Sequence, residues 1–457
     1  MTTRRTEAPP EAVPPRAKRA GEIPARWAWV EPSVWTPRML STLERGVAGG
    51  RWYALMDKVV RPENLRSSWG RVRSNDGAAG VDHQSVAEFE QGAERHLERV
   101  RAMLADGSYR PSAVRRVHIP KPGRPGETRP LGIPTVRDRV VQGAVRSVLE
   151  PIFEAGFAEH SYGFRPGRGP KDALRRVRQL LQEGYLHVVD ADLKSYFDTI
   201  PHDALLDRVR EKVTDGSVLA LVSMFLKAGV MDGTTTTEPG EGTPQGGVIS
   251  PLLANIYLDP LDHLVVRRGW QMVRFADDFV ILCRTAEEAR EALTVVTAWT
   301  AEAGLRLHPE KTRLADLNID GEEFTFLGYR FTRKWHAVGK KARERIRERV
   351  RELTPRNFGN SLKVAVERLN TVLRGWYQYY QHARPTAFVR VDKFVRARLR
   401  AILWRREKRK GYPPPEANRR WPIAFFQELG LLSLAATREA QVAARLAVNL
   451  RLESRVR

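Results

Sequence analysis

The stretch YLHVVDADL, residues 185–193, constrains the fold of this chain more than any other feature of its sequence. The apolar run has the pattern of a strand that is buried in a sheet, yet it contains two acids, Asp190 and Asp192. Burying a carboxylate costs several kcal/mol unless a cation neutralises its charge. The stretch therefore predicts a sheet that carries carboxylates where a cation binds.

A second pair of acids, Asp277 and Asp278, stands in VRFADDFVIL at 273–282. The apolar arms predict a hairpin whose tight turn holds these acids rigidly. Successive strand residues point to opposite faces, so one acid is expected to ligate a metal directly and the other to assist. Taken alone, an Asp-Asp pair is more typical of an ordinary type I turn.

Oxygen ligands without neighbouring histidine or cysteine favour Mg²⁺ over zinc. Two magnesium ions held by shared carboxylates can stabilise the attacking and leaving oxygens of a phosphoryl transfer. The chain has one cysteine, Cys283, and scattered histidines, which excludes an intramolecular disulfide and argues against a structural zinc site. The expected cofactor is a pair of Mg²⁺ ions.

The chain is strongly basic, with a formal net charge of +23 and a pI near 10.5. Nucleic acid is the favoured partner, because lysine and arginine displace the counterions of a polyanion. A basic proteome is the alternative explanation. No apolar run approaches the roughly 18 residues that span a bilayer, and no secretory signal follows the N-terminus. We therefore expect no membrane association and a cytoplasmic location.

Six sequence blocks occur in order along the chain, and together they resemble the blocks of reverse transcriptases. Their wording is most similar to that of group II intron enzymes, and NLRSSWGRVRSNDGAAGVD (64–82) resembles the N-terminal extension of that family. The likeness runs from about residue 52 to about residue 430. The blocks are RPLGIPTVRDRVVQ (129–142), DADLKSYFDTIPH (190–202), TPQGGVISPLLANIYL (243–258), FADD (275–278), GLRLHPEKT (304–312) and FLGYRF (326–331).

The resemblance implies a role for each acid. Asp192 matches the first metal ligand of the family, because the aromatic residue that screens the sugar follows five positions later at Phe197. Asp277 would hold the metals with Asp192, Asp278 matches the second acid of the hairpin pair, and Asp190 is expected to be structural. FADD differs from the more frequent YADD by one hydroxyl, which affects no metal ligand.

Phe197 resembles the steric gate that rejects a 2′-hydroxyl, which implies that the product is DNA. A packed core phenylalanine is the alternative. Lys311, in HPEKT, matches a lysine proposed in the family to protonate the leaving pyrophosphate. A solvated lysine in a turn is the alternative there.

Further residues are expected to bind the incoming nucleotide. Lys121 and Arg129 fall on opposite arms of a predicted hairpin, where two cations could meet its triphosphate, although surface charge explains them equally. Gln245 and Gly246 precede an apolar helix, and glycine lets the backbone approach a nucleotide closely. A simple helix-entry turn is the alternative for this pair.

The C-terminal third is helical and basic. In VDKFVRARLRAILWRREKRK (391–410), apolar residues recur at helical spacing and leave arginines for RNA phosphates, although a solvated helix face has the same pattern. With LRGWYQYYQ (373–381), this region resembles the maturase domain of group II intron proteins. The chain ends soon afterwards, so no His/Asn endonuclease domain is expected. The candidate RNA-binding residues are Arg396, Arg398, Arg400, Arg405 and Arg406.

The expected fold class is α+β, a right-hand polymerase with fingers, palm and thumb followed by an α-helical maturase domain. The predicted domains are a disordered basic arm (1–45), an N-terminal extension (46–110), fingers and palm (111–335), and thumb with maturase region (336–457).

The predicted function is RNA-directed DNA polymerisation by a group II intron protein that also binds its intron RNA for splicing and mobility. Its expected partners are intron RNA, an RNA template with a DNA primer, deoxynucleotides and target DNA, in a ribonucleoprotein associated with the bacterial nucleoid. One alternative is a maturase that has no need of polymerisation. Others are a domesticated relative in phage defence or spacer acquisition, and a viral-type RNA polymerase, which Phe197 disfavours.

Overall fold

The computed structural model describes residues 25–46, 50–120, 126–237 and 240–444. Its contacts divide the chain into two compact units, with the division between Leu314 and Ala315. Within the described residues, no helix combines the length and apolarity needed to cross a membrane.

The chain begins with a helical region that covers the predicted N-terminal extension. Apolar residues at helical spacing, Leu55, Val59 and Leu65 among them, are buried there as predicted. A capping box between Ser85 and Glu88 starts the fourth helix. The helices are α1 (Pro37–Arg45), α2 (Met56–Val59), α3 (Pro62–Asn75), α4 (Val86–Glu90) and α5 (Ala93–Ala105).

Residues 25–45 are ordered, so the predicted disordered arm is wrong over that range, and residues 1–24 lie outside the described part. Trp27 and Trp35 are fully buried, and the Trp35 indole donates a hydrogen bond to the carbonyl of Ser147 at 3.0 Å. The proline and arginine content suggested disorder, but the tryptophans bury enough apolar area to order this segment.

The rest of the first unit alternates strands and helices as the sequence predicts. In chain order its elements are β1 (Val114–Pro120), β2 (Thr128–Ile133), α6 (Val136–Glu154), α7 (Pro170–Gln182), β3 (His187–Asp192), α8 (Tyr196–Thr199), α9 (His202–Arg210), α10 (Gly216–Lys227), β4 (Val230–Asp232), β5 (Thr235–Thr237), α11 (Ser250–Arg267), β6 (Gln271–Phe275), β7 (Asp278–Cys283), α12 (Ala286–Glu302) and β8 (Arg313–Asp316), the strand in which the division falls.

Two four-stranded sheets organise this unit. One has the order β2-β1-β4-β5, with β1 and β2 forming the predicted antiparallel hairpin. The other has the order β6-β7-β3-β8, with β3 antiparallel to β7 and β7 antiparallel to β6. Helix α12 packs on β3 and β7, and α11 packs on β6, so the second sheet is a rigid platform for the acids on its strands.

The second unit is small in sheet and rich in helix, as predicted for the C-terminal third. Its antiparallel sheet has the order β11-β10-β9. The elements are β9 (Phe324–Phe326), β10 (Tyr329–Phe331), β11 (His336–Val338), α13 (Lys340–Leu353), α14 (Leu362–Tyr380), α15 (Pro385–Arg406), α16 (Ala417–Arg420) and α17 (Ile423–Glu428).

Candidate active site

The strand register places the acids of the two predicted pairs side by side. Asp192 ends β3 directly opposite Asp278, which begins β7. Ala276 and Asp277 form the turn between β6 and β7, and Ala276 has a left-handed backbone with φ 59°. The hairpin therefore presents Asp277 at its tip, beside the end of the strand that carries Asp192.

Asp277 has a perturbed pKa at this end of the β6-β7-β3-β8 sheet. Burial raises the pKa of its carboxyl above the ordinary value, and the charge of Asp192 raises that pKa further. Hydrogen bonding to its own backbone opposes the increase, as do the positive charges of Lys311 and Arg129. The protein thus holds two mutually repelling carboxylates together, which is an arrangement typical of cation binding.

Lys311 reaches the same acids. Its Nζ donates to Oδ2 of Asp192 at 2.8 Å, and the two side chains keep 43% and 27% of their surface exposed. The amide of His308 donates to the backbone carbonyl of Asp192 at 2.7 Å, which ties the HPEKT turn to the end of β3. The lysine is therefore a neighbour of the acids and not a remote solvated side chain.

Asp190 has a different environment from Asp192. Its Oδ2 lies 3.6 Å from Nε of Arg313 on β8, and its side chain is only 13% exposed. A cation of the protein itself therefore accompanies this acid, which agrees with the structural role expected for it.

The donor set suits a hard divalent cation. Among the described residues, no three His, Cys, Asp or Glu side chains are gathered closely enough to form a complete metal cage. Asp192 and Asp277 supply carboxylate oxygens, and a divalent cation would offset the burial and the repulsion by Asp192 that raise the pKa of Asp277. The residues present therefore fit a metal that also takes oxygens from water and substrate phosphates.

Phe197 lies on α8, just after β3, with its ring half-buried. It makes edge-on contacts with Tyr196 and with Phe164, whose ring in turn lies 6.5 Å from that of Phe275 beside the acids. The amide of Thr243 donates to the Phe197 carbonyl at 2.7 Å. The ring is thus packed against Tyr196 and Phe164, and part of it remains exposed.

The Gln245–Gly246 loop lies against β2, the strand that carries Arg129. The amide of Gly132 donates to the Gln245 carbonyl at 2.6 Å. Gly246 has φ +115°, and a Cβ there would lie 2.2 Å from the carbonyl oxygen of Gly132. Glycine is therefore required by this close approach. Arg129 is exposed on β2, and Lys121 lies outside the described residues.

A buried hydrogen-bond network behind the β6–β7 turn was not predicted from the sequence. Arg274, fully buried on β6, donates through Nε to Asp262 at 2.7 Å and through Nη1 to Asn255 at 3.0 Å and to the Ala276 carbonyl at 2.9 Å. Burial alone would lower the pKa of Arg274, but the Asp262 carboxylate raises it overall. An arginine inside the apolar VRF run was the available signal.

The same network reaches a second close approach. Asn255 donates to the carbonyl of Gly163 at 2.8 Å, and a Cβ on Gly163 would lie 2.2 Å from the amide nitrogen of Ala276. Gly163 thus packs directly against the turn that carries Asp277. Arg274 and Gly163 together fix the turn from behind.

Comparisons with known proteins identify the family. The model "Reverse transcriptase (RNA-dependent DNA polymerase)" matches residues 119–331, and "Group II intron, maturase-specific domain" matches residues 343–421. "Group II intron-encoded protein LtrA" of Lactococcus lactis subsp. cremoris is 37% identical over 211 residues, which are 46% of this chain and 34% of that protein. The chain belongs to the group II intron reverse transcriptase/maturase family.

This group II intron protein is also similar to a second curated protein and to a solved structure. "Protein YkfC" of Escherichia coli (strain K12) is 34% identical over 379 residues, covering 74% of this chain and 93% of that protein. A chain of the "Partial Cas6-RT-Cas1--Cas2 complex" covers 54% of this chain and 42% of its own length at 23% identity, with a TM-score of 0.36, too weak a likeness for further argument. The aligned part spans about a third of LtrA.

The family assignment implies the reaction that the first unit catalyses. The reverse transcriptase region is an RNA-directed DNA polymerase domain, a family that uses divalent metal ions, and its matched range contains Asp192, Asp277 and Asp278. The fold is accordingly the predicted α+β polymerase with a helical maturase region.

The maturase-specific region uses several predicted RNA-binding arginines to hold its own backbone. Arg398 donates to Oγ1 of Thr354 at 3.1 Å and to the Thr354 carbonyl, and Arg400 donates to the carbonyl of Trp421 at 2.9 Å. Arg406 donates to the carbonyl of Asn360. The three side chains thus link α15 to neighbouring segments, a role that helical spacing did not predict.

The other two arginines differ in exposure. Arg405 is exposed on the last turn of α15, and Arg396 is half-buried. The RNA-binding role of all five arginines stays a prediction.

Proposed function

We propose that this group II intron protein copies RNA into DNA at the edge of the β6-β7-β3-β8 sheet, with Asp192 and Asp277 as the principal metal ligands and Asp278 assisting. The observation that carries the proposal is the strand register, which brings Asp192 beside the hairpin tip with Lys311 at 2.8 Å. Two repelling carboxylates with one neighbouring ammonium suit a site that neutralises phosphates.

The proposed cofactor is a pair of Mg²⁺ ions held by these acids. When bound, the ions would align the attacking and leaving oxygens and neutralise the charge that develops between them. Oxygen-only ligands and the need to share phosphates with a substrate favour magnesium over softer metals.

The remaining side chains divide the work on the nucleotide. Arg129 is proposed to bind the triphosphate of the nucleotide. This role is supported by the positive charge of Arg129, which lowers the pKa of Asp277. Phe197 excludes a 2′-hydroxyl, and the Gln245–Gly246 backbone would approach the nucleotide closely. Lys311 holds a proton at Nζ, which passes to the oxygen of the leaving pyrophosphate. Lys121 is proposed as a second triphosphate cation on the resemblance alone.

The proposed partners are intron RNA, an RNA template with a DNA primer, deoxynucleotides and target DNA. Splicing assistance is assigned to the 336–457 region, polymerisation to 111–335, and the N-terminal extension to 46–110; the family matches fall inside the first two of these ranges. A cytoplasmic location at the nucleoid, within a ribonucleoprotein, belongs to the same proposal, since those partners are found there.

Primer extension tests the proposal. The full chain should extend a DNA primer on an RNA template with deoxynucleotides and Mg²⁺. Asp277→Asn, which removes the charge but keeps the shape, should lower the rate by at least about a thousandfold, a loss of about 4 kcal/mol in transition-state stabilisation. The variant should bind the RNA template as tightly as the native chain. Extension that survives in Asp277→Asn, or a native chain that does not extend, would contradict the proposal.

A further inference from the structure

The second unit contains a cavity of about 450 Å³ that none of the predicted site residues lines. It opens between the β10–β11 hairpin and the first turns of α13 and α15. This volume lies within the range of ligand pockets in general. Its charged lining residues, among those the structure describes, are the cations Arg330, Lys340, Arg343, Arg347, Arg384 and Arg390 and the acid Glu344.

The cavity also faces the positive ends of two long helices. Helix α13 has 14 residues and α15 has 22, and neither carries an acid in its first turn. Backbone N–H groups and the helix dipole at such ends favour an anion. Two dipoles and six cationic side chains, opposed by Glu344, therefore act on the same small volume.

The guanidinium groups are held in place and incompletely satisfied. Trp335 has the Arg330 guanidinium 5.0 Å and the Arg384 guanidinium 4.8 Å from its ring centroid. The Thr332 hydroxyl donates to the Trp335 carbonyl and accepts from its amide, which fixes the turn. Nη1 of Arg330 is paired with Glu323 at 3.0 Å, but Nε of Arg330 and Nε of Arg343 are buried without a hydrogen-bond partner among the described residues. Unsatisfied buried donors are costly, so an acceptor that enters the cavity is favoured.

We propose that this cavity binds backbone phosphates of a nucleic-acid strand. Five of the six cations are arginines, whose planar donors match phosphate oxygens bidentately. This proposal rests on the proposed function, because the pocket would form part of the RNA-binding surface. The strand could be RNA or DNA, since phosphate contacts carry no sugar or base information.

Two charge-matched double variants test the pocket. Arg343→Ala/Arg390→Ala removes one lining cation from each helix. Lys341→Ala/Lys393→Ala removes one cation from each of the same helices outside the lining. Both variants of the full chain lose two positive charges, so diffuse electrostatic attraction falls equally in the two.

Fluorescence anisotropy would measure binding of a single-stranded oligouridine RNA and of the matching oligodeoxyuridine DNA over a range of salt concentrations. We expect the pocket variant to bind at least about tenfold more weakly than the control. Its salt slope should be shallower by about 1.4, since each phosphate contact on a single strand contributes about 0.7. Loss with one of the two strands only identifies that strand as the occupant, and loss with both shows that the pocket binds the phosphates of either.

Equal losses in the two double variants with both strands would overturn the proposal. Should the pocket variant unfold, Lys340→Ala against Lys341→Ala repeats the comparison with adjacent exposed lysines, and there the expected slope difference is about 0.7. If the native chain binds RNA through the pocket but does not extend a primer, the pocket proposal is supported and the polymerase proposal is contradicted. A chain that extends primers while the matched variants bind equally removes the pocket alone.

Discussion

Replacing Arg274 with methionine should damage both the stability and the chemistry of this protein. Arg274 is fully buried and Asp262 is 2% exposed, so Arg274→Met leaves an unpaired carboxylate in the core. It also removes the donor that holds the Ala276 carbonyl at 2.9 Å, directly before Asp277. The substitution therefore acts on the core and on the turn that carries Asp277 together.

The magnitude follows from the environment of the pair. Removing one partner of a buried ion pair costs roughly 3–5 kcal/mol, because the remaining charge stays desolvated. Replacing both partners with apolar residues of similar volume is often neutral in stability. Arg274→Met should thus destabilise the first unit by about 3–5 kcal/mol, and Arg274→Met/Asp262→Leu should recover most of that loss.

Activity separates support of the fold from positioning of the turn. Urea unfolding monitored by circular dichroism gives the stability, and single-nucleotide extension at saturating primer, template and deoxynucleotide gives the rate. The double variant should remain folded yet extend at least about tenfold more slowly, because small displacements of reacting groups are expensive. Full activity in the double variant would refute the positioning role, and a stability loss below about 1 kcal/mol in the single variant would refute the buried-charge argument.

Three further substitutions test neighbouring parts of the site. Gly163→Ala places a Cβ 2.2 Å from the Ala276 amide and should slow extension by about tenfold or more, while Gly216→Ala, where the space is open, should not. Phe197→Ala should lower the preference for deoxynucleotides over ribonucleotides by on the order of tenfold or more, measured as a ratio of kcat/KM values. Asp277→Asn should raise the melting temperature of the metal-free protein at neutral pH. The raised pKa of Asp277 means that its charge opposes folding above that pKa, and the native chain should gain stability as pH falls through it whereas the variant should not.

The strands that carry the acids could be predicted closely from the sequence. Apolar β-branched runs around Asp190, Asp192 and Asp277 define β3, β6 and β7 within a few residues. Their pairing follows from the family resemblance, since periodicity alone does not say which strands meet. The juxtaposition of Asp192 with Asp278 is a register property, which the structure supplied.

The supports behind the acids could not be predicted from the sequence. Arg274 and Asp262 lie 12 positions apart on a strand and a helix, and only packing reveals that they pair without solvent. Gly163 is more than 100 positions from Ala276, so its close approach has no local sequence signal. Buried polar groups are satisfied by tertiary partners, and propensity and periodicity carry no information about those partners.

Composition and helical spacing did not reveal the tertiary contacts of two regions. The proline- and arginine-rich start of the chain suggested disorder through residue 45, but the burial of Trp27 and Trp35 orders residues 25–45. The arginines of α15 remain predicted RNA-binding residues, and Arg398 and Arg400 also donate to backbone carbonyls of neighbouring segments. A guanidinium satisfies protein carbonyls as readily as phosphate oxygens, so helical spacing alone does not distinguish the two roles.

The most direct test of the active-site assignment is a comparison of Asp192→Asn with Asp190→Asn in single-turnover addition of one deoxynucleotide on an RNA template. The two acids lie two positions apart on β3, but Asp192 is assigned to the metals and Asp190 is accompanied by Arg313. Asp192→Asn should lower the rate by at least about a thousandfold, and Asp190→Asn should retain most of it once folding is verified. Equal loss in both variants, or a greater loss in Asp190→Asn, would contradict the account.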